Sequence, residues 1–274
     1  MEFSRLALLK FPLLSEKETL VRLAFRFEGL LLPLALLLVW QWVVAAGYIS
    51  ANLMPPPTQI AQTLGQLVGD GSLAVHVGVS SARVLIGFVI GASLGVAVGA
   101  VVGLNRTAQA LFDPGFQALR AIPSLAWVPL LLLWAGIDEG PKLSLIAIGA
   151  FFPIYLSVVS GFHNVDRKFL EVGAIYGLSG SATVWRVLIP AALPSLLTGL
   201  RNGLSLSWMF MVAAELIAAT RGLGFLLNDG RDTGRADLII VGIITIAVLG
   251  KFSDSLLRTL EHQLLEWRDV FQAR

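Results

Sequence analysis

A pentapeptide inside a long apolar stretch has the residue types and spacing of a catalytic serine site. Residues 91–95 match Gly-x-Ser-x-Gly, the pattern in which a serine on a sharp strand-to-helix turn attacks a carbonyl carbon. Ser93 would need a histidine at the same depth to accept its proton. The chain has three histidines, His76, His163 and His262, and all of them lie outside the predicted membrane spans. The sequence therefore argues against an intramembrane hydrolase.

The sequence lacks the other common catalytic and cofactor patterns. It has no Gly-x-x-x-x-Gly-Lys-Ser/Thr loop to hold ATP phosphates and no His-Glu-x-x-His pair to hold zinc. The 274 residues include no cysteine, which excludes disulfides and cysteine-ligated metals. We therefore predict a protein that is not an enzyme, binds no metal or cofactor itself, and draws any energy that it needs from a partner.

Two ionisable residues lie inside predicted spans, where a charge is costly and is usually functional. Arg83 and Glu215 each lie about one turn inside the outer end of a different span. Their similar depth predicts a pair, which acts either as an outer gate that closes when they meet or as a static link between helices. If they pair, exchanging the two charges is expected to rescue the single variants.

Two further polar residues, Arg201 and Asn202, are predicted near the inner end of a span. They form part of an inner transport path and attract an anion, or Arg201 simply extends to the lipid headgroups. The sequence leaves both interpretations open.

The elements that must hold these residues are membrane helices. Hydrophobic residues make up 56% of the chain and charged residues only 14%, against about 25% in an ordinary soluble domain. A soluble core of this length cannot bury so much apolar surface, so lipid must be the solvent for much of it. The formal net charge is only +2 and there is no basic patch interleaved with aromatic residues, which argues against nucleic acid as a partner.

Six stretches have about the 20 residues that a helix needs to cross a bilayer core. They predict an all-α integral membrane protein with spans at 29–49, 80–104, 119–137, 142–162, 195–219 and 237–257. Pro123, Pro129 and Pro153 interrupt the third and fourth spans, which membrane helices tolerate when neighbouring groups satisfy the freed carbonyls.

Lysine and arginine in the short loops predict that both termini face the cytoplasm. The N-terminal arm, the segment 163–194 and the C-terminal tail carry basic residues, whereas the loop 50–78 carries no lysine or arginine. The loop 220–236 disagrees with this pattern, because it carries three arginines and is nevertheless predicted to be external.

The predicted domain organisation has three parts. Residues 1–28 form a cytoplasmic arm, residues 29–262 a single membrane domain, and residues 263–274 a cytoplasmic tail. In the arm, Ser15 and Glu18 fit a capping box that precedes an apolar helical face. This predicts either an amphipathic helix on the inner leaflet or on a partner, or a plain lead-in to the first span.

Glycine recurs at every fourth position of the second predicted span. Gly87, Gly91, Gly95, Gly99 and Gly103 form one stripe along a helix. Inside a membrane small residues let another backbone approach closely, so the stripe predicts a tight helix pair or a surface that slides during transport. Six helices are few for enclosing a polar path, which predicts that the chain pairs with a second copy of itself.

The segment 163–194 is a long amphipathic stretch between spans. Gly177 and Gly180 break a first helical pattern, and Ser179 or Ser181 can cap a second short helix. This second helix is predicted to run to Val187, with Pro190 and Pro194 ending it. Such a helix–turn–helix, with an apolar face and small residues at its corner, is typical of a surface that inserts into a groove of a partner protein.

This helix–turn–helix at 163–194, called the elbow below, resembles the cytoplasmic signature of the membrane subunits of bacterial ABC importers. The family pattern is Glu-Ala-Ala, three residues, Gly, nine residues and then Ile-x-Leu-Pro. Glu171, Gly177 and Pro190 stand at the matching positions, while Val172 and Gly173 replace the two alanines. We identify the chain on this basis as resembling an ABC importer permease.

The resemblance extends to three further stretches. Leu132–Glu139, Tyr176–Gly180 and Ala214–Gly224 are similar to the sulfonate, taurine and nitrate branch of these permeases, and most similar to its aliphatic sulfonate members. The implied function is ATP-driven import of aliphatic sulfonates across the inner membrane. The alternative is the same machine importing taurine, nitrate or another small anion.

The resemblance also implies a fold, a site and a set of partners. The fold is a type I ABC importer permease with about six transmembrane helices, and its elbow is the coupling helix that docks into a cleft of an ATP-binding subunit. The implied contact residues are Glu171, Val172, Gly173, Ala174, Tyr176, Gly177 and Pro190. The implied partners are two ATPase subunits that hold ATP and Mg, a second permease copy, and a periplasmic or lipid-anchored substrate-binding protein.

Two other classes of transport protein compete with this interpretation. A free-standing channel or a secondary carrier would not need the elbow, and a carrier is expected to show inverted internal repeats, which this sequence does not show.

Overall fold

The computed structural model describes the backbone of residues 16–267 and, apart from Ala218, the side chains of residues 31–267. Every regular element within these residues is a helix, which confirms the all-α prediction. The α-helices are α1 Glu16–Ala45, α2 Pro57–Gly69, α3 Ser72–Leu104, α4 Arg106–Ala121, α5 Val128–Ala135, α6 Glu139–His163, α7 Arg167–Ile175, α8 Gly180–Thr183, α9 Ile189–Ala218, α10 Leu223–Asp232 and α11 Ala236–Leu264.

The chain divides into two compact units, one ending at Gln62 and one beginning at Thr63. In the first unit, α1 is 30 residues long, but the side chains described in it are those of residues 31–45, too few to test a span. The first predicted span, 29–49, is therefore not confirmed. Ser15, the first residue of the predicted capping box, lies outside the described residues.

Four helices of the second unit are long and apolar enough to cross a membrane. They are α3, α6, α11 and a continuous helical run, Gly180–Ile217, that contains most of α9. These four helices overlap the second, fourth, fifth and sixth predicted spans. A bent pair of helices raises the number of candidate spans to five among the described residues, so the count of six is not confirmed.

The third predicted span, 119–137, is wrong as a straight helix. Helix α4 ends at Ala121, a 3₁₀ turn covers Ser124–Trp127, and the helical axis changes direction by 89° between the two halves. Pro123 explains the break, because its ring disfavours a helical conformation at the preceding residue. Ile122 is accordingly extended, with φ −75° and ψ 123°.

The predicted loop 50–78, which connects the first two predicted spans, is largely helical. It contains all of α2, and α3 begins at Ser72, eight residues before the predicted start of the span. Asp70 fixes this start, since its carboxylate accepts hydrogen bonds from the Ser72 hydroxyl (2.6 Å) and backbone N–H (2.9 Å). These two bonds lower the pKa of Asp70.

The glycine stripe of α3 packs against α6 along its whole length. A Cβ added at Gly87 would lie 2.7 Å from Ile146 Cβ, one at Gly99 would lie 2.9 Å from Val158 Cβ, and one at Gly91 would overlap the carbonyl oxygen of Ala147. Contact this close needs glycine, and it replaces the hydrophobic driving force that helices lack in lipid. The glycine stripe is therefore the contact surface of a tightly packed pair of helices, α3 and α6.

Helix α6 packs between α3 and α9. On the α9 side, a Cβ added at Gly203 would lie 2.9 Å from Ile154 Cγ1, and one at Gly199 would lie 2.5 Å from Ser157 Cβ. Ile154 itself is fully buried and belongs to a core cluster that both neighbouring helices cover. Helices α3, α6 and α9 thus form one closely packed body.

Candidate functional sites: a surface elbow and a buried charge cluster

The first half of the elbow is a short capped helix. The Asp166 carboxylate accepts a hydrogen bond from the backbone N–H of Lys168 (2.9 Å), which satisfies one of the free donors at the start of α7. Arg167 and Glu171 follow at an i,i+4 spacing with 3.9 Å between charged atoms. Both side chains are largely exposed, so this ion pair contributes little stability.

A Schellman motif forms the corner of the elbow. Gly177 has a φ of 69°, the backbone N–H of Gly177 donates to the Ala174 carbonyl (3.0 Å), and the N–H of Leu178 donates to the Gly173 carbonyl (3.0 Å). This pair of bonds is the usual way to end a helix with a left-handed glycine. Gly177 thus allows the left-handed turn, and any residue with a Cβ would adopt this conformation only at a cost in free energy.

The small residue at Gly173 lets the chain fold back at this corner. Gly173 is buried, and a Cβ added there would lie 3.5 Å from Leu178 Cδ1 and 3.7 Å from Val187 Cγ2, which are ordinary contact distances. An alanine would therefore fit. Glycine in place of the alanine of the family pattern therefore leaves the packing of the elbow intact.

The tip of the elbow is apolar and exposed. Ile175 and Tyr176 expose 83% and 80% of their surface, and Phe169, Val172 and Trp185 are also exposed. Lone exposed apolar residues are common, whereas five on one short elbow form a patch of the kind that marks a protein contact. Ala174 and Glu171 are exposed in the same helix.

The second half of the elbow differs from the prediction. The helix that starts at Gly180 does not end at Pro190 but passes through a π-helical turn, Val184–Leu188, into α9. Proline lacks an N–H and its ring clashes with the carbonyl four residues earlier, which normally breaks a helix. The π-turn, in which the Ile189 N–H donates to the Val184 carbonyl, widens the helix at that point and lets Pro190 stand in its first turn.

The second site is a buried carboxylate at the opposite end of the same helix α9. Glu215 is fully buried and accepts hydrogen bonds from Arg83 Nη1 (2.8 Å), Ser80 Oγ (2.8 Å) and the backbone N–H of Gly224 (2.7 Å). A buried charge needs such partners. The structure thus brings together the two ionisable residues that the sequence singled out.

Sequence reasoning missed a second carboxylate that binds Arg83. The guanidinium makes a bidentate contact with Glu139, through Nε–Oε2 and Nη2–Oε1 at 2.6 Å each. Lys142, which is also buried, donates to Glu139 Oε1 at 3.1 Å. Two cations and two carboxylates therefore compensate each other in a cluster formed by Arg83, Glu139, Lys142 and Glu215.

The charge cluster orders the backbone that leads into α10. Arg83 Nη1 donates to the Arg221 carbonyl (2.7 Å), the Gly222 N–H donates to His76 Nδ1 (3.1 Å), and the Leu223 N–H donates to Ser80 Oγ (2.8 Å). With the Gly224 bond to Glu215, the cluster and its neighbours hold polar backbone groups of four consecutive residues. The backbone of segment 221–224 is thus hydrogen-bonded to a buried or half-buried side chain at each residue.

Position 222 accepts only glycine, for reasons of backbone conformation and of space. Its φ is 125°, which favours glycine, and an added Cβ would lie 2.5 Å from the Glu215 carboxyl carbon.

Arg201 also has carboxylate partners. Its guanidinium lies 3.0 Å from Asp254 Oδ1 and 3.0 Å from Glu261 Oε2, which links α9 to α11. Asn202 lies next to it and is exposed. The two carboxylates offset the charge of Arg201, while the predicted role of both residues in a transport path stays a prediction.

Two of the three arginines in the loop 220–236 lie beside carboxylates. Arg235 Nη2 lies 2.7 Å from Asp237 Oδ2, and Arg231 Nε lies 3.1 Å from Asp232 Oδ1. The hydrogen bond with Asp237 raises the pKa of Arg235. Within residues 63–267, Arg221 has no carboxylate within 4 Å of its side-chain nitrogens.

The serine pattern has no catalytic geometry. Residues 91–95 lie in the middle of α3 with no strand before them, and His76 lies in the same helix about 25 Å away along the axis. His76, His163 and His262 lie near the ends of α3, α6 and α11, outside the predicted spans 80–104, 142–162 and 237–257. Over the described residues, no group of three or more His, Cys, Asp or Glu side chains could hold a metal ion.

Comparison with known proteins places the chain in a family. The model of the family described as "binding-protein-dependent transport system inner membrane component" matches residues 87–265. The putative aliphatic sulfonates transport permease protein SsuC of Escherichia coli (strain K12) is 39% identical over 258 residues, which cover 94% of this chain and 97% of that protein. The taurine transport system permease protein TauC of the same organism is 35% identical over 242 residues, 86% of this chain and 88% of that protein.

A solved structure shares the fold. An inward-facing structure of the MetNI methionine ABC transporter matches with a TM-score of 0.55, covering 70% of this chain and 94% of that chain at 19% identity. At that identity the likeness concerns the fold alone, which is the type I ABC importer permease fold that the elbow predicted.

The family description, together with four to five candidate spans among the described residues, makes this a multi-pass protein of the inner membrane. The family match over residues 87–265 and the 39% identity across nearly the whole chain establish its class. The chain belongs to the family of binding-protein-dependent transport system inner membrane components, which are ABC importer permeases.

Proposed function

We propose that this chain is the membrane-spanning subunit of an ATP-driven importer of aliphatic sulfonates. The observation that carries the proposal is the apolar tip at Ile175 and Tyr176, held on a Schellman corner and joined to the membrane helix α9 without a break. The cargo follows from the similarity to the aliphatic sulfonate permease of Escherichia coli, which extends along 94% of the chain.

The elbow is proposed to transmit force from a separate ATPase subunit. Residues Glu171 to Gly177 dock on that subunit, and ATP binding there pulls the elbow toward its counterpart on a second permease copy. Because α8, the π-turn and α9 are one continuous helix, a displacement of the elbow moves α9 directly. Helix α9 in turn packs on α6, so the helix body moves with it.

ATP hydrolysis is assigned to two partner ATPase subunits, which hold ATP and Mg, and this chain binds no cofactor of its own. A periplasmic or lipid-anchored binding protein delivers the substrate to the outer side. Both termini then lie in the cytoplasm, with residues 1–28 as an arm, residues 29–262 as the membrane domain and residues 263–274 as a tail.

The charge cluster is proposed to be a static link within one body. A gate must join parts that separate, whereas Arg83 bridges α3, α6 and α9, which the glycine contacts already hold together. The buried bonds of Glu215 to the backbone of segment 221–224 support the same role.

Taurine is the second candidate cargo, favoured by the similarity to the taurine permease over 86% of the chain. Nitrate or another small anion would use the same machine. Alkanesulfonates and nitrate are anions, whereas taurine is a zwitterion that carries the same sulfonate group as the alkanesulfonates.

Growth of a strain that lacks this chain tests the cargo. We expect loss of growth when an alkanesulfonate is the sole sulfur source, and normal growth on sulfate, because the importer would supply only the sulfonate. Parallel cultures on taurine as sulfur source and on nitrate as nitrogen source are the controls. Loss on taurine or nitrate alone would change the cargo, and normal growth on every source would contradict an importer of these substrates.

A further inference from the structure

An open cleft lies beside the charge cluster. One wall is aliphatic, with Val79, Ala82 and Ile86 of α3 at helical spacing and Leu143 of α6 facing the same space. The other rim is formed by Thr220 and Arg221, both exposed. The cleft thus sets an apolar surface beside hydroxyl and guanidinium donors.

The local charge favours an anion at this rim. Glu139 reaches the cleft, but its two oxygens are bound by Arg83 at 2.6 Å and by Lys142 at 3.1 Å. The cluster of two cations and two carboxylates is electrically balanced. Since Arg221 has no carboxylate partner among residues 63–267, its guanidinium gives the cleft an excess positive charge.

The rim is also fixed in place before any ligand arrives. Arg83 holds the carbonyl of Arg221 itself, and the next three N–H groups are held by His76, Ser80 and Glu215. These bonds hold the backbone from which the Arg221 side chain reaches the cleft. Preorganisation of this kind lowers the entropy cost of binding.

We propose that this cleft binds a small amphiphilic anion, with its charged head at Arg221 and Thr220 and its alkyl chain along Val79, Ala82 and Ile86. The identification of that anion as the transported alkanesulfonate rests on the proposed function. The charged head makes charge-assisted hydrogen bonds, and each methylene that contacts the wall adds hydrophobic affinity.

Cysteine protection measures binding in the cleft without requiring transport. The chain has no cysteine, so Thr220→Cys places a single thiol at the rim and Thr233→Cys places one at an exposed position elsewhere in the same loop. We expect hexane-1-sulfonate to slow the reaction of the Thr220→Cys variant with an uncharged maleimide, in a saturable way, and to leave the Thr233→Cys variant unaffected.

Two further substitutions test separately how the charged head and the alkyl chain of the ligand contribute to binding. Adding Arg221→Gln is expected to raise the hexanesulfonate concentration for half-protection roughly tenfold, because a charge-assisted bond is lost. Arg231→Gln, a second exposed arginine of the loop, is the matched control and is expected to change nothing. Adding Ile86→Ser is expected to remove the advantage of hexanesulfonate over methanesulfonate.

The outcomes distinguish this cleft from the proposed function. Equal protection at the two thiols, or protection that Arg221→Gln leaves intact, would overturn the cleft. Import of hexanesulfonate by the intact complex without protection would overturn the cleft alone, whereas protection without import would support the cleft and contradict the proposed function.

Discussion

Gly177→Trp is expected to abolish alkanesulfonate import while leaving the protein folded in the membrane. Gly177 has a φ of 69°, and nothing lies within 4 Å of the place where its Cβ would be. The large side chain would therefore stand on the surface beside Ile175 and Tyr176, where the ATPase subunit is proposed to dock. The measurement is initial uptake together with the amount of ATPase that copurifies.

Two smaller substitutions at the same position separate bulk from backbone strain. Gly177→Asn keeps a residue that tolerates the left-handed conformation, and we expect near-normal uptake. Gly177→Ala adds one methyl in open space and about 1 kcal/mol of strain, so uptake should fall only partly. Normal import by the Gly177→Trp variant would show that the corner does not contact a partner.

Exchanging the charges of Arg83 and Glu215 is expected to fail as a rescue. In the single variants, Glu215→Arg buries a cation beside Arg83, and Arg83→Glu places a carboxylate against Glu139 and Glu215. Removing one partner of a buried pair typically costs about 3–5 kcal/mol. We expect both single variants to lose most of their folded protein, measured by thermal unfolding in detergent.

The exchanged pair still cannot reproduce the native bonds. An arginine at position 215 has no acceptor for the Gly224 N–H, and a glutamate at position 83 still faces Glu139. The expectation from the sequence, that the exchange restores function, is therefore replaced by its opposite. The matched control is the exchange of Arg231 and Asp232, an exposed pair worth about 0–1 kcal/mol, which should leave stability unchanged. A double variant as stable as wild type would refute the backbone role of Glu215.

Long apolar helices were predictable because hydropathy alone specifies them. The predicted spans 80–104, 142–162 and 237–257 lie inside α3, α6 and α11, and their ends differ by up to eight residues. The differences arise where a helix continues out of its most apolar part, as at the start of α3. Hydropathy does not determine where the helix ends at such residues. Local hydrogen bonds, such as those that Asp70 accepts from Ser72, determine it instead.

Proline positions misled the prediction in opposite directions. Pro123 was treated as tolerated within a span, and it lies at an 89° bend. Pro190 was treated as a helix end, and the chain continues through it by means of a π-turn. Whether a proline breaks or only widens a helix depends on neighbouring packing, which a single sequence does not contain.

The charge cluster shows a similar limit. Depth along two helices was enough to suggest Arg83 with Glu215, because both lie about one turn inside their spans. Glu139 falls between the predicted spans 119–137 and 142–162, so its bidentate contact with Arg83 was missed. Its spacing three residues before Lys142 at the start of an apolar run was the available signal. Choosing between two carboxylates requires knowing that α6 lies between α3 and α9.

The elbow was predictable because its motif is local. Gly177 and Gly173 satisfy one short backbone pattern, and its hydrogen bonds join residues within five positions of each other. Sequence alone cannot show which side chains then remain exposed. Ile175, the most exposed residue of the tip, was not among the predicted contact residues for that reason.

ATP dependence of uptake tests the central claim most directly. The complex of this chain with its copurifying ATPase would be placed in lipid vesicles with the binding protein outside, and accumulation of labelled butane-1-sulfonate would be measured with and without ATP at the ATPase side. The account predicts accumulation only when ATP and the binding protein are both present. Accumulation that proceeds without ATP would show that the chain works as a channel or carrier and would contradict the account.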